Sequence, residues 1–396
     1  MKVPQVRGFS FAGLACGIKK SGKPDMALLV AHTDAACAGV FTQNQIVAAP
    51  VVLSRDYLRQ DGKARAVVIN SGNANACTGE RGEKDARAMT QRVADRLGCA
   101  ARDVQVCSTG VIGAPLPMET VTAGIDAAFD ALGEGTMEDF GDAICTTDTR
   151  RKVRGTELEI GGRTVRIAGC SKGAGMIHPN MATMLGVVIT DAPVATQDLD
   201  RLWRGVCDRS FNAITIDGDT STNDTALLLA GGAAGGAPLS GVDLDTLEAA
   251  IEEVAGELAR DIVRDGEGAT KLVRITIAGA ASDADVRVAA NAVALSPLVK
   301  TAIHGEDPNW GRIIAAAGRS GAKVVPSEMK LWIGEVPIYL DGVWQGPGAE
   351  SAAHDVMLTP DYPIRLDLGA GGAHIRTIFT CDFSADYVRI NADYRS

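Results

Sequence analysis

Lys172-Gly-Ala-Gly-Met-Ile-His-Pro-Asn-Met-Ala-Thr183 runs directly into Met184-Leu-Gly-Val-Val-Ile-Thr190. The first stretch is polar and glycine-bearing, and Pro179 restricts His178 to extended geometry. The second is a short, fully apolar strand. The change of character falls at Thr183, so a hydroxyl stands at the head of a strand. A β-branched residue there is ordinary sheet material, and as a bare pattern it has no more meaning than that.

The same alternation of apolar strand and glycine-bearing turn recurs on either side. Upstream, residues 26–31 and 66–70 are apolar runs with polar boundaries and read as buried strands. Ala86, Met89, Val93 and Leu97 form one face of a helix. Residues 104–107 read as a strand that enters Ser108-Thr109-Gly110, and Val121, Ile125, Ala128 and Leu132 mark a second amphipathic helix. Residues 156–160 and 164–167 flank Gly161-Gly162, the signature of a hairpin with a primed turn. Downstream, Leu244, Leu247, Ile251, Val254, Leu258 and Ile262 step by three and four, and Gly266 closes that helix. Residues 272–277 form a strand, and Ser282 with Asp285 makes an imperfect capping box before an alanine-rich helix. Period-two alternation over 331–340, 364–368 and 375–380 makes the C-terminal part mostly sheet.

Strands and helices mix without a regular βαβ rhythm, so the expected fold class is α+β, with sheets packed against helices. At 396 residues the chain exceeds the usual size of one core. The division is expected near Ala280, giving a main unit over 1–280 and a smaller α+β domain over 281–396.

Composition narrows the function. Hydrophobic residues at 46% and charged residues at 22% describe an ordinary soluble globular chain. The net charge of −10 disfavours phosphate-backbone partners, and 4% aromatics leave too few rings for a surface that stacks nucleic-acid bases. Nucleic acid is therefore not an expected partner. Nine scattered cysteines without a C-x-x-C fit neither a disulfide framework nor a zinc knuckle, and point to a reduced, cytoplasmic setting. No apolar stretch approaches the roughly 18 residues of a spanning helix, and the N-terminal residues do not resemble a signal peptide, so no membrane is expected.

Phosphate-loop, serine-elbow, zincin and calcium-loop signatures are all missing. The five histidines, His32, His178, His304, His354 and His374, make no metal-ligand spacing, so the expected metal is none. What remains is three polar segments set in apolar sequence: Cys107-Ser-Thr-Gly-Val-Ile-Gly113, the 172–183 stretch, and Asp265-Gly-Glu-Gly-Ala-Thr-Lys271. A strand ending in Thr109-Gly110 can aim a hydroxyl and a backbone N–H at one point, as an oxyanion hole requires. A tight turn with a capping hydroxyl accounts for the same residues, and spacing alone does not separate the two.

The word Lys172-Gly-Ala-Gly-Met-Ile-His-Pro-Asn-Met-Ala-Thr-Met-Leu-Gly186 resembles the signature of the ornithine acetyltransferase family. The resemblance extends along essentially the whole chain. It includes Ile69-Asn-Ser-Gly-Asn-Ala-Asn-Ala76, Ser108-Thr-Gly-Val-Ile-Gly113, Thr146-Thr-Asp-Thr149 and residues 211–224. It continues through residues 265–271, His304-Gly-Glu-Asp-Pro-Asn-Trp-Gly-Arg312 and Asp386-Tyr-Val-Arg-Ile-Asn-Ala-Asp-Tyr394. The implied fold is a layered sandwich of the N-terminal-nucleophile type. The implied maturation is self-cleavage between Ala182 and Thr183, leaving residues 1–182 and 183–396 as a heterodimer that assembles further.

The resemblance also implies the reaction. Thr183 takes the acetyl group of N-acetylornithine and releases ornithine, and glutamate then takes the acetyl group and leaves as N-acetylglutamate. No prosthetic group is implied, and acetyl-CoA is a second donor in some members. The freed α-amino group of Thr183, with an unperturbed pKa of about 7.7–8.0, supplies the base that the hydroxyl lacks. Thr109 and Gly110 correspond to the oxyanion donors. Thr149, Lys172, Thr183, Glu267, Asn391 and Ser396 correspond to substrate-contacting positions, with Lys172 facing a carboxylate and Glu267 an ammonium. For Lys172 and Glu267 the plain alternative is a solvated surface charge. For the chain, the rivals are an N-terminal-nucleophile amidase or aminopeptidase, where water replaces glutamate, and an uncleaved metabolite-binding protein. The word at 304–312 has no chemical role on this reading.

Overall fold

The structure is a computed structural model that describes residues 3–178 and 184–393, the last by its backbone alone. Over these residues the chain divides into two compact units, one within Met1–Asn212 and Asp219–Ile262, the other within Ala213–Gly218 and Val263–Tyr394. Each has its own sheet and its own core.

The strands of the first unit are β1 (Phe9–Leu14), β2 (Met26–Phe41), β3 (Lys63–Asn73), β4 (Val104–Val111), β5 (Lys152–Ile160), β6 (Arg163–Lys172), β7 (Leu185–Thr190) and, after the short β8 of the second unit (Ile214–Thr215), β9 (Thr225–Ala230). Their order is β4-β3-β2-β9-β7-β6-β5, with β1 on β2. The β3–β4 and β7–β9 pairs are parallel and the others antiparallel. Along β2 the residues sort by parity: Met26, Leu28 and Val30 join one core cluster, and Ala27, Leu29 and Ala31 the other. Both faces are covered, which is why such strands read as continuous apolar runs. One face packs against α2 (Gly79–Leu97) and α3 (Met118–Asp130) through Met89, Val93, Val121 and Ile125. The other packs against α4 (Met137–Ile144) through Phe140 and Ile144. Gly161 and Gly162 join β5 to β6 with φ of +55° and +74°, the primed turn expected there.

In the second unit the strands are β8, β10 (Leu272–Ala280), β11 (Lys330–Ile333), β12 (Val336–Leu340), β13 (Val343–Trp344), β14 (Asp361–Asp367) and β15 (His374–Cys381), in the order β13-β12-β11-β14-β10-β15-β8. Helices α7 (Asp283–Ala294), α8 (Pro297–His304), α9 (Trp310–Gly318) and α10 (Pro347–Met357) contribute Val286, Val293, Ile303, Ile313 and Met357 to its core. Ser282 caps α7 by accepting the Asp285 N–H at 3.1 Å.

Two expectations change. The division lies ahead of the strand 272–280, whereas the sequence reading placed it after that strand. The reason is that β10 is bonded to β14 on one side and β15 on the other, so it belongs to the second sheet. The C-terminal part is also less purely sheet than the alternation suggested. The alternating runs do form β11, β12, β14 and β15, but α10 lies between β13 and β14, and Ala385–Asp393 is helical (α11). Among the described residues no single helix is long and apolar enough to cross a membrane.

Candidate active site

Thr109 and Gly110 lie near the end of β4, beside the bulged end of β3. The bulge is held by polar groups inside the sheet: Ser108 Oγ donates to Asn70 Oδ1 at 2.6 Å, and Asn70 Nδ2 donates to Asn73 O at 2.9 Å. Gly110 has a φ of +132°, and a Cβ added there would stand 2.3 Å from the carbonyl carbon of Gly72 and 2.5 Å from Asn73 N. Only glycine fits this contact. The 69–76 word therefore serves as the wall against which the Thr109-Gly110 peptide is pressed.

Thr109 is buried, and Lys172 Nζ, at the end of β6, donates to its Oγ1 at 3.4 Å. With one lone pair occupied by Lys172, the hydroxyl keeps its own proton for another acceptor. Lys172 itself is buried, so the solvated-charge reading does not describe it. Its charge is balanced locally by Asp148, a residue the sequence reading did not single out. The Asp148 side chain is fully enclosed and accepts from Lys152 Nζ at 2.6 Å, Gly173 N at 2.7 Å and Thr146 N at 2.9 Å. Burial alone raises this carboxyl, but the Lys152 and Lys172 ammonium groups and the Gly173 N–H outweigh it and hold it well below the usual carboxylate range. Thr149, the next residue, is exposed.

A second missed group is Asp224, which precedes β9 and is completely buried. Its Oδ1 accepts the Met184 N–H at 3.0 Å, while Oδ2 has no hydrogen-bond partner among the described residues. Burial pushes this carboxyl well above its ordinary value, against the opposing pull of the Met184 N–H and Lys172. Its neighbour Asn223 donates to Ala74 O at 2.6 Å and to Ser108 O at 2.9 Å. Residues 223 and 224 thus tie the head of β7, the 69–76 word and β4 together. Their signal in the sequence was the matching word at 211–224, but no spacing rule marks a buried aspartate as special.

Thr183, Ala182 and Ser396 lie outside the described residues, as do Pro179 and Asn180. His178 is half-buried, and burial lowers its imidazole against the opposing charge of Asp219.

In the second unit Glu267 is half-buried and accepts from Asn391 Nδ2, on α11, at 2.9 Å. That places two of the expected substrate contacts against one another. Gly268, with a φ of +70°, leaves room for Ser384 Oγ to donate to Gly268 O at 2.7 Å.

Comparison with known proteins settles the relationship. The ArgJ family matches over residues 10–396. The chain belongs to the ArgJ family. An arginine biosynthesis bifunctional protein ArgJ from Geobacter sulfurreducens is 50% identical over 393 residues, 99% of this chain and 100% of its own length. The protein of the same name from Symbiobacterium thermophilum is 48% identical, over 98% of this chain and 97% of its own. Among solved structures, an ornithine acetyltransferase from Mycobacterium tuberculosis complexed with ornithine is 39% identical, over 44% of this chain and 92% of that one, with a TM-score of 0.40. As a member of the ArgJ family, the chain is an acyltransferase of arginine biosynthesis with an α+β fold.

Proposed function

We propose that this member of the family moves the acetyl group of N2-acetyl-L-ornithine to L-glutamate through an ester on Thr183. The observation that carries the site assignment is the buried Thr109 hydroxyl, which accepts a hydrogen bond from Lys172 Nζ and is followed by the sterically obligatory Gly110. Thr183 Oγ attacks the acetyl carbonyl and its proton passes to the α-amino group of the same residue. The Thr109 hydroxyl and the Gly110 N–H donate to the oxyanion, which collapses, breaking the amide C–N bond and returning the proton to the departing ornithine amine. Glutamate's amine then attacks the ester in the reverse sense, and N-acetylglutamate leaves. Lys172 receives a substrate carboxylate, and Glu267 with Asn391 receives the ornithine side-chain ammonium. Thr149 and Ser396 complete the contacts. The reaction uses no metal or organic prosthetic group and the enzyme works in the cytoplasm; acetyl-CoA consumption with glutamate present and N-acetylornithine absent tests whether acetyl-CoA is a second donor.

Maturation by cleavage between Ala182 and Thr183 is part of the reading. The sheet order supports lasting association of the pieces: β7 and β9 follow the cut in sequence, yet lie between β2 and β6, which precede it. Strand β7 bonds to β6 along Ile167↔Thr190 to Lys172↔Leu185, and β9 bonds to β2 along Ala36↔Ala230 to Phe41↔Thr225. The two pieces would be interleaved, which favours their staying together without the peptide bond; the heterodimer and its further assembly belong to the proposal.

The test is intact mass under denaturing conditions, together with quantitation of acetylated products. Two fragments, one beginning Thr-Met-Leu-Gly, are expected, with Thr183→Ala remaining a single 41.1 kDa chain. N-acetylglutamate should form in step with ornithine. Free acetate exceeding N-acetylglutamate would instead indicate a hydrolase, and an uncleaved, inactive wild-type chain a binding protein.

A further inference from the structure

The His304-Gly-Glu-Asp-Pro-Asn-Trp-Gly-Arg312 word takes no part in the chemistry above, yet the second unit gives it a definite place. Glu267 sits in the connection Asp265-Gly-Glu-Gly-Ala-Thr-Lys271 between α6 (Gly241–Arg264) and β10, a segment with two glycines and no regular structure of its own. A carboxylate that must meet an ammonium in one geometry needs such a segment pinned from outside.

The pins converge on Thr270 and Lys271. The Asp382 side chain is fully enclosed and accepts four hydrogen bonds: from Thr270 N at 2.7 Å, Thr270 Oγ1 at 2.8 Å, Lys271 N at 2.9 Å and, at 2.7 Å, His304 Nδ1. Burial raises this carboxyl, but the Thr270 N–H and the His304 imidazole prevail and keep it below its ordinary value. Lys271 Nζ donates to Glu306 Oε1 at 2.6 Å and to Met357 O at 2.8 Å. The rest of the word has contacts of its own. Asn309 caps α9 by accepting the Arg312 N–H, Trp310 stacks on Tyr339 at 5.2 Å between ring centroids, and Arg312 Nη1 donates to Leu298 O.

The His304 side chain is 43% exposed, so it stands at the edge of the fold, while Asp382 behind it is fully enclosed. The Asp382 contacts run to the end of the loop that carries Glu267, and Lys271, the last residue of that loop, is anchored to Glu306 and to the backbone at the end of α10.

We infer that the 304–312 segment is a positioning device for Glu267, with His304 acting through Asp382 and Glu306 acting through Lys271. The inference rests on the proposed role of Glu267 in binding the substrate ammonium. It makes His304 and Glu306 positioning residues whose loss is felt in substrate affinity and only through Glu267.

The experiment is a double-mutant cycle on the full-length enzyme, reading KM for N-acetylornithine and kcat. His304→Ala is expected to raise KM about tenfold with kcat nearly unchanged, a size usual for coupling within one hydrogen-bonded network. His304→Asn, whose amide N–H stands near the position of the Nδ1–H, should recover most of the loss. In a Glu267→Gln background, His304→Ala should add less than about twofold. If the two substitutions multiply independently, or if His304→Ala lowers kcat and leaves KM alone, the inference is overturned. If Glu267→Gln by itself leaves KM unchanged, the reading of Glu267 fails first, and this single variant reports it. Should His304→Ala not fold, Glu306→Gln tests the second clamp in the same cycle.

Discussion

Gly110→Ala tests the oxyanion geometry most directly, because sterics and catalysis predict its effects separately. The new Cβ would meet Gly72 C at 2.3 Å, Asn73 N at 2.5 Å and Gly72 Cα at 2.7 Å, all of them backbone atoms. No side-chain rotation relieves that contact, so β3 and β4 must separate. Overpacking costs about 1–3 kcal/mol, and holding a non-glycine residue at a φ of +132° adds about 1–3 kcal/mol. The expected loss of stability is thus about 2–6 kcal/mol, a large part of the roughly 5–15 kcal/mol of a typical domain. Separation of the strands also moves the Gly110 N–H, and loss of one oxyanion donor lowers kcat by about 10²–10³-fold. Denaturant unfolding and steady-state formation of N-acetylglutamate measure the two effects. Gly113→Ala is the control: Gly113 also has positive φ, at +84°, but nothing lies within 4 Å of its added Cβ. That variant should lose only about 1 kcal/mol and keep its kcat. A Gly110→Ala enzyme as stable and as fast as Gly113→Ala would refute the steric argument and the donor assignment together.

Two further outcomes follow from the buried carboxylates. Asp148→Asn removes the charge that faces Lys152 and should destabilise the protein by about 3–5 kcal/mol, measured by denaturant unfolding at neutral pH. Because the folded-state value of Asp148 is depressed, its contribution is complete above the unfolded value of about 3.9 and disappears as pH falls through the folded value. Stability followed from pH 6 downwards should therefore decline at acid pH in the wild type, and an Asp148→Asn variant with an identical acid profile would contradict the assignment. Asp224 has the opposite sign: its folded-state value is raised, so stability is complete below the unfolded value and is lost as pH rises towards the folded one. Asp224→Asn keeps an acceptor for the Met184 N–H and removes that penalty. Its unfolding free energy should match or exceed the wild-type value above about pH 4, by a margin that grows with pH. A deficit that grows as pH rises through the usual carboxylate range would mean that the carboxyl is ionised and paired.

Much of the architecture was legible because it is written in short-range pattern. The apolar runs that became β2, β3, β4 and β7, the stepping of Leu244 to Ile262 along α6, and the Gly161-Gly162 turn depend on neighbours within a few residues. Some local signals were present and not used. Thr136 and Asp139 form a capping box for α4, with Asp139 N to Thr136 Oγ1 at 3.3 Å and Thr136 N to Asp139 Oδ2 at 2.9 Å. Leu199, Leu202, Trp203 and Val206 fall on one buried face of α5 (Thr196–Arg209). The division near residue 280 missed for a different reason: a strand's allegiance is set by its partners, and β14 and β15 lie roughly ninety and a hundred residues further along the chain than β10.

By itself, then, the sequence determined the fold class, most of the strands around the candidate site, and membership of the family through long words in order, and it offered the hydroxyl and the glycine at 109 and 110 as candidates. Only the tertiary structure decided what those residues face. That Lys172 is buried against Thr109, that Asp148 and Asp224 carry opposite perturbations, and that His304 reaches the Glu267 loop through Asp382 are facts of juxtaposition between segments far apart in the chain. The physical reason is one of range. Periodicity and turn chemistry act over a few residues and leave their record in neighbouring letters, whereas burial and charge pairing depend on which distant segments the packed sheet brings together.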